Sequence, residues 1–599
     1  MTIVDRPTLP AAPVARGRPL TDRGAVTLAV TVAAGAWWHH PVPLALAVAV
    51  SAIALGLRRP ALVVLAGFAL ASCLGARSMA GMGPAPSGSF AGRVTLVADP
   101  EPEPFGAKVD VRVGSRRLEL WATDGAAGAV SHALAGERLW VEGRTHPPRP
   151  GSPWLVPRHV VGRLEVDRAE AIDGGSWPWQ AANRFRRLLG RGAEAIPEPS
   201  RSLYGGFVLG DDRGQPAEIV DDFRGAGLTH LLVVSGENVA FVLVLAAPLV
   251  RRLPLTGRWA VTIAVIVGFG VITRFEPSVL RASAMAALAA SASLLGRPAA
   301  TLRLLALATA GLLLVDPLLV RSVGFQLSVA ASVGIALLAT PIADRIPGPG
   351  SLAEALGVTI AAQVGVAPVL VPQFGGLPVV AVVANVLAVP LAGLVTTWGL
   401  PAGIVAGAFG GRVAWVVHLP TQACVWWVAG VARLAAAVPL GELGMRGLVV
   451  AAAAGAAAVV WTRRHPAHRA HRWVAAVVIG AVLLQPAVAL RSPPPHQLVA
   501  GGDLYRSGGA TVLVLAGPLH VADLLQDLRR DGVRRIDLLV TPGAPSVELG
   551  TALRHRWAVG RTVQARAGPA HGVVGALVVD VGPDGEVTVG PARPSNADR

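Results

Sequence analysis

Charge is the first thing this chain lacks. Only 15% of its 599 residues are Asp, Glu, Lys or Arg, whereas soluble domains carry about 25%. That shortage excludes an ordinary soluble globular protein. Lysine is nearly absent: Lys108 is the single one, so the net charge of +16 is an arginine charge. Arginine over lysine follows genomic base composition. The basic excess itself fits positive loops beside a membrane and would also suit a polyanionic substrate. Cys73 and Cys424 are the two cysteines. They are too few for a disulfide framework or a four-thiolate zinc site. Leu70-Ala71-Ser72-Cys73 has the look of a lipoprotein cleavage box, but it follows two other apolar segments and comes too late to be one. There is no Walker A run, hence no nucleotide motor of that kind, and no convincing internal repeat.

What is present is apolar length. Hydrophobic residues make up 53% of the chain and mean hydropathy is +0.54. A bilayer core needs about 20 apolar residues per helix, and several windows reach that. Three short apolar segments lie near 25–38, 42–57 and 61–76, separated by His39-His40-Pro41 and Arg58-Arg59-Pro60. A second apolar block runs from Gly227 to about Leu490. Candidate spans lie near 228–250, 257–272, 278–295, 302–320, 322–341, 354–371, 377–397, 399–409, 413–438, 446–461 and 473–490, some of them half-length or re-entrant. Arg6, Arg16, Arg18 and Arg23 put the N-terminus inside by the positive-inside rule, as does the run 463–472 for its own loop. Residues 78–200 and 496–599 are then outside.

Between the apolar blocks, Arg93–Val97, Val109–Val113, Arg117–Trp121 and Arg138–Glu142 alternate with period two, which predicts half-buried strands. Short strands with glycine turns suit a small barrel of the OB type. Ala181–Ala195 is amphipathic and basic, and Arg184, Arg186 and Arg187 are candidates for external DNA contact. The tail reads as α/β: strands at Thr511–Leu515, Ile536–Val540 and Val573–Val581, and a helix at Val521–Arg530.

Polar groups inside apolar runs are costly, and they mark function or a helix end. Ser235-Gly236-Glu237-Asn238 interrupts one run. Either irregular backbone lines a cavity there, or the span begins at this point and these residues cap it. In Thr273–Ser278, Arg274 and Glu276 can pair in a connecting loop, and Pro277 suits a first helical turn; Arg281 then falls inside the following helix. Gln326, Ser328, Gln363 and Asn385 recur deeper in the block, as interhelical hydrogen bonds singly and as a polar stripe together.

Four ordered blocks carry a resemblance. Gly210–Gly214 with Phe223–Gly236, then Pro277–Ala282, Gly324–Ser328 and Ala384–Leu391, resemble the ComEC-type competence family. That resemblance implies an inner-membrane, multi-pass channel for single-stranded DNA, working with membrane lipids, a DNA receptor and a cytoplasmic ATP-driven motor. It implies a polytopic α-helical membrane protein with an external OB-like β-barrel domain and a C-terminal α/β metallo-β-lactamase-like domain. The expected division is 1–77, 78–180, 181–200, 201–495 and 496–599. Ser235, Glu237, Asn238, Arg274, Glu276, Arg281, Gln326, Ser328, Gln363 and Asn385 are the DNA-pathway candidates.

Two departures matter. Many members carry Ser-Gly-Leu-His-Val where this chain has Ser235–Val239, so any role of that histidine does not transfer. After Val540 the chain reads Thr541–Gly550 without the histidines and aspartate of the family's ligand run, and His520, His555 and His571 are scattered, as surface residues are. No metal, no cofactor and no catalysis are therefore expected. The rival readings are a membrane-bound nuclease or hydrolase acting on the non-transported strand, and a small-solute transporter.

Overall fold

The computed structural model describes residues 21–57, 59–103, 106–297, 299–438, 440–464, 494–507, 509–516, 519–565, 570–574, 577–581 and 587–591. Helices dominate. Five of them are long and apolar enough to cross a membrane among the described residues: Ala61–Ala80, Leu255–Ile272, Val323–Ala343, Gly350–Phe374 and Ala381–Phe409. The segment expected at 473–490 and most of the basic run 463–472 lie outside the described residues.

The N-terminal apolar segments become α1 (Asp22–Trp38), α2 (Leu44–Leu57) and α3 (Pro60–Ala80). Thr21 caps α1 by accepting from the Gly24 amide, and Pro60 stands at the start of α3, where its missing N–H costs nothing. The next module holds β1 (Gly88–Leu96), β2 (Glu101–Glu103), β3 (Gly106–Val113), β4 (Arg116–Thr123), α4 (Asp124–His132), β5 (Arg138–His146) and β6 (Val160–Asp173). All four alternating runs fall in strands. The sheet order is β1-β5-β6-β4-β3-β2, and β1 also meets β3 at Thr95↔Arg112 and Leu96↔Val111. Only β4 and β6 are parallel. Their inward residues, Val94, Val109, Leu120, Leu139 and Leu164 among them, form one core with α4.

The amphipathic stretch is α5 (Trp177–Ala193). It is followed by α6 (Ser200–Leu209), α7 (Ala217–Gly225), α8 (Gly236–Val250), α9 (Leu255–Ile272), α10 (Pro277–Leu294), α11 (Thr301–Val315), α12 (Val323–Ala343) and α13 (Gly350–Phe374). Then come β7 (Leu377–Pro378), α14 (Ala381–Phe409), α15 (Gly411–Val417), α16 (Leu419–Ala437), β8 (Glu442–Leu443) and α17 (Met445–Arg464). Three expectations need correction. The span expected from 228 starts only at Gly236, after a 3-10 turn at Thr229–Leu231. The segments at 377–397 and 399–409 are one helix, α14, that runs through Pro390 and Pro401. In an apolar setting neighbouring groups can take up the freed carbonyls, so proline does not end the helix there. The segment 413–438 is divided between α15 and α16.

α12 and α13 form an antiparallel pair in which backbones touch. A Cβ at Gly334 would run into the Ala361 carbonyl oxygen, and one at Gly365 into that of Ala330. Small residues allow this approach, and van der Waals packing is its reward. The antiparallel register places Phe374, the last residue of α13, at the same end as the start of α12. That end is also where the β module attaches: His159 pairs with Asp316 at 2.9 Å just before α12. The opposite end gathers Arg251, Arg252, Arg258, Arg297 and Arg345 in the connections between helices, and Arg303 pairs with Asp22 there at 2.8 Å.

The tail contains β9 (His496–Val499), β10 (Gly502–Ser507), β11 (Ala510–Leu515), α18 (Val521–Arg530), β12 (Arg535–Thr541), α19 (Val547–Arg556) and β13 (Ala558–Gln564). These strands form a five-stranded sheet, β13-β12-β11-β10-β9. The single late strand expected at 573–581 is instead a hairpin, β14 (Ala570–Val574) and β15 (Leu577–Val581), with β16 (Val587–Pro591) beside it. Alternation divides the five-stranded sheet. Leu513, Leu515, Ile536 and Leu539 pack on α18 and α19, whereas Val512, Val514, Leu538 and Val540 face the second sheet.

If backbone contact holds α12 to α13, Gly334→Val should cost about 1–3 kcal/mol through overpacking. It should show as a lower melting midpoint of the detergent-purified protein. Gly311→Ala, in α11 with open space around it, is the matched control; equal midpoints for both variants would refute the contact.

Candidate functional site

The Ser235–Asn238 turn is a helix start. Ser235 is in extended conformation and its Oγ accepts from the Glu237 amide at 3.2 Å, so serine, rather than Asn238, is the cap. Asn238 is buried, and its Nδ2 donates to the Phe207 carbonyl at 2.9 Å. Glu237 is exposed on the same turn. Gly236 lies against Arg281: a Cβ there would come within 2.6 Å of Nη2, so a larger residue would push the guanidinium aside.

Arg281 comes from the second turn of α10. Its Nε donates to Ser328 Oγ at 2.8 Å, and Nη1 donates to Ser332 Oγ and lies 3.7 Å from Met285 Sδ. These partners are neutral; no salt bridge to Arg281 occurs among the described residues. Ser278 Oγ holds the Val234 carbonyl at 2.7 Å, fixing the α10 start against the turn. The result is an uncompensated guanidinium in an apolar bundle, beside the N-termini of α8 and α10, which carry partial positive charge. Such a place attracts anions.

The other pathway candidates are not drawn into this cluster by hydrogen bonds. Gln326 Nε2 donates to the Val320 carbonyl at 2.8 Å. Asn385 donates to the Ala381 carbonyl at 2.8 Å and, at 3.5 Å, to that of Gly227. Gln363 is half-buried on α13. Arg274 does not pair with Glu276. It takes a left-handed backbone (φ 61°) and reaches Asp99 of the β module at 2.9 Å and Asn183 Oδ1 of α5 at 2.8 Å. Glu276 stays accessible in a crowded recess. Desolvation, helped by the carboxylates of Asp212 and Glu101, pushes its carboxyl up to about 7.

Arg186 was a candidate for external DNA contact, and the structure corrects that. It is buried, with Asp99 at 2.8 Å, Asp211 at 3.2 Å, and bonds to the Leu209 and Ile272 carbonyls. Amphipathicity alone could not reveal that one arginine of the helix faces inward. Arg187 pairs with Glu137, and Arg184 is exposed. Asp99 thus joins three elements: its own loop after β1, α5, and the α9–α10 loop. Burial alone would raise its pKa, but Arg186 and Arg274 outweigh burial and hold it below the usual carboxylate range. Asp211 is held low in the same way, with Arg213 as its main partner. Stability from this pair is therefore present above the ordinary carboxylate range and is lost only as pH falls through the depressed values.

A second network docks the tail. Buried Asp221 and Asp222 of α7 meet Arg529 (3.2 Å), Arg556 (2.7 Å to Asp221) and His555 (3.2 Å to Asp222). Glu442 bridges Arg529 at 2.7 Å and Arg530 at 2.8 Å. His555 is exposed, as expected of a surface residue, and it also reaches Asp222 at the interface. His520 is exposed, and the side chain of His571 lies outside the described residues. Among the described residues no group of three or more His, Cys, Asp or Glu stands ready to hold a metal.

Asp99→Asn should leave Arg186 and Arg274 without their shared carboxylate, at a cost of about 3 kcal/mol for a broken buried pair. Faster proteolytic release of the β module at neutral pH is the readout. Cleavage at the wild-type rate would mean that the two halves are held by other contacts.

Residues 207–465 match the model of the family described as Competence protein. A curated relative, "Uncharacterized protein YcaI" of Escherichia coli (strain K12), is 30% identical over 144 residues, 22% of this chain and 19% of the relative. The chain therefore aligns with about a fifth of that protein's length. No solved structure matches. All four sequence blocks that resemble the ComEC-type family lie inside the matched stretch, and residues 207–465 belong to the competence protein family.

Proposed function

We propose that the chain is a multi-pass inner-membrane channel that admits single-stranded DNA. The observation that carries this reading is Arg281, a guanidinium held by two serine hydroxyls and no carboxylate inside the family domain. A passing phosphate supplies the missing counter-charge, and hydroxyls rather than acids let it leave again. A site that conducts must bind well enough to admit and weakly enough to release. Gln326, Gln363 and Asn385 brace the surrounding helices, and Arg274 belongs to the joint with the β module.

The soluble modules fit roles at the entrance. The β module pairs in the ring β1-β5-β6-β4-β3 and back to β1, with a helix between β4 and β5. That order supports the OB-like reading, and such modules present grooves to single strands. Arg184 remains available to phosphates. The tail has helices on one face of a sheet and a second sheet on the other, which supports a metallo-β-lactamase-like layering. Without a ligand run it serves as a docked cap and catalyses nothing. The proposed division remains 1–77, 78–180, 181–200, 201–495 and 496–599, with the linker helix beginning at Trp177. A DNA receptor and a cytoplasmic ATP-driven motor would complete the machine. The rival nuclease reading would be favoured by chelator-sensitive cutting of labelled DNA by the purified chain. A solute transporter would be favoured by uptake of a small solute without DNA.

Arg281→Ala, in a strain that expresses it normally, should cut DNA entry about tenfold or more while surface binding of DNA is kept, since losing one charged contact is worth roughly 1.5–3 kcal/mol; Gln326→Ala, which removes a bracing hydrogen bond, should lower entry less. Normal entry in both variants sinks the pathway. For topology, both modules belong at the end away from the arginine-rich connections. Cysteines placed at Ser115 and Ser507, with Cys73 and Cys424 replaced, should be labelled by an impermeant reagent in spheroplasts. Labelling only after permeabilisation would reverse the orientation.

A further inference from the structure

A cavity of about 450 Å³ lies where the β module meets the end of α3. Arg77, from the last turn of α3, forms one wall. Arg112, Ser115, Arg116 and Arg117, around the tip of the β3–β4 hairpin, form another, and His159 closes it. No carboxylate lines it. Arg117 spends a donor on the Arg158 carbonyl at 3.2 Å, and His159 spends Nε2 on Asp316. Arg77, Arg112 and Arg116 are exposed, with no acidic partner among the described residues.

Like charges gathered without counter-ions repel, and the fold keeps four guanidiniums around one hollow. The level of that hollow follows from α3. Ala61–Ala80 has the length and composition of a span, and Arg77 sits within its final turn. Arginine near the end of a spanning helix places its head among lipid headgroups. The hairpin tip descends to the same level. Val161 and Met82 add an apolar side.

We infer that this cavity binds the phosphate of an anionic phospholipid headgroup in the leaflet on the side of the soluble modules. The guanidinium fork fits a phosphodiester oxygen pair, and a zwitterionic lipid, whose ammonium would meet the same four cations, is disfavoured. The bound lipid seats the β3–β4 hairpin on the membrane and so sets the height of the whole β module. This site is separate from the Arg281 cluster and does not depend on the chain carrying DNA.

The full chain, delipidated in detergent and returned to nanodiscs, would be given phosphatidylglycerol or phosphatidylcholine. Retained lipid is then counted by native mass spectrometry. Phosphatidylglycerol should be retained selectively. Arg112→Gln and Arg116→Gln should each weaken retention about fivefold, the worth of one cation near an anionic surface. Arg112→Lys, which keeps the charge and loses the fork, should retain lipid better than Arg112→Gln but less well than the wild type, and Arg297→Gln, at the opposite end, should change nothing. Inorganic phosphate and a short single-stranded oligonucleotide should fail to displace the lipid at matched concentration. Equal retention of both lipids, or unchanged retention in the glutamine variants, overturns the site. Displacement by free phosphate or by the oligonucleotide overturns the lipid as its ligand.

Discussion

The carboxylate of Asp99 is the constraint on which the arrangement of this molecule depends. It lies in the β module, yet its partners Arg186 and Arg274 come from the linker helix and from a turn between membrane helices. None of the three is affordable alone at that depth, because an isolated buried charge costs several kcal/mol even after relaxation. Together they neutralise one another, and Asp211 adds a further carboxylate for Arg186. The β module is therefore rigidly indexed to the α9–α10 turn. That turn leads straight into Pro277 and so into Arg281. A displacement of the β module and the placement of the guanidinium in the bundle are mechanically linked through about seven residues of chain.

Much of the fold could be read from the sequence because periodicity reports local burial. The period-two runs at 93–97, 109–113, 117–121 and 138–142 all became strands, and the apolar segments near the N-terminus became helices within a few residues. Boundaries failed in α14, where the two expected segments 377–397 and 399–409 are one helix. They failed again where a helix started later than its hydropathy, as at Gly236. Hydropathy measures what a segment can bury, and Ser235 decided where the helix began by capping it.

The candidate site was legible only in part, and the reason is physical. Arg281 and Ser328 stood out as polar residues in apolar runs, but Ser332, which shares the guanidinium, did not, because a serine costs little anywhere in a helix. Arg186 was placed on the wrong side. Its neighbours Arg184 and Arg187 face outward, and a helical stripe one residue wide is invisible to composition. Arg274 and Glu276 looked like partners because they are adjacent. A left-handed backbone at Arg274 turned it away toward a residue 175 positions earlier. Ion pairs of that kind carry no local signature.

The docking of the tail on α7 has a consequence for how the protein is made. Asp221 and Asp222 leave the ribosome well before Arg556, which is 335 positions later. At about 5–20 residues per second the acidic pair waits roughly 15–70 s for its cations. During that interval α7 cannot be buried against α16 without stranding two carboxylates, so the segment leading to the Ser235 turn stays unset. The residues that lock the region before α8 are thus made more than 300 positions after it.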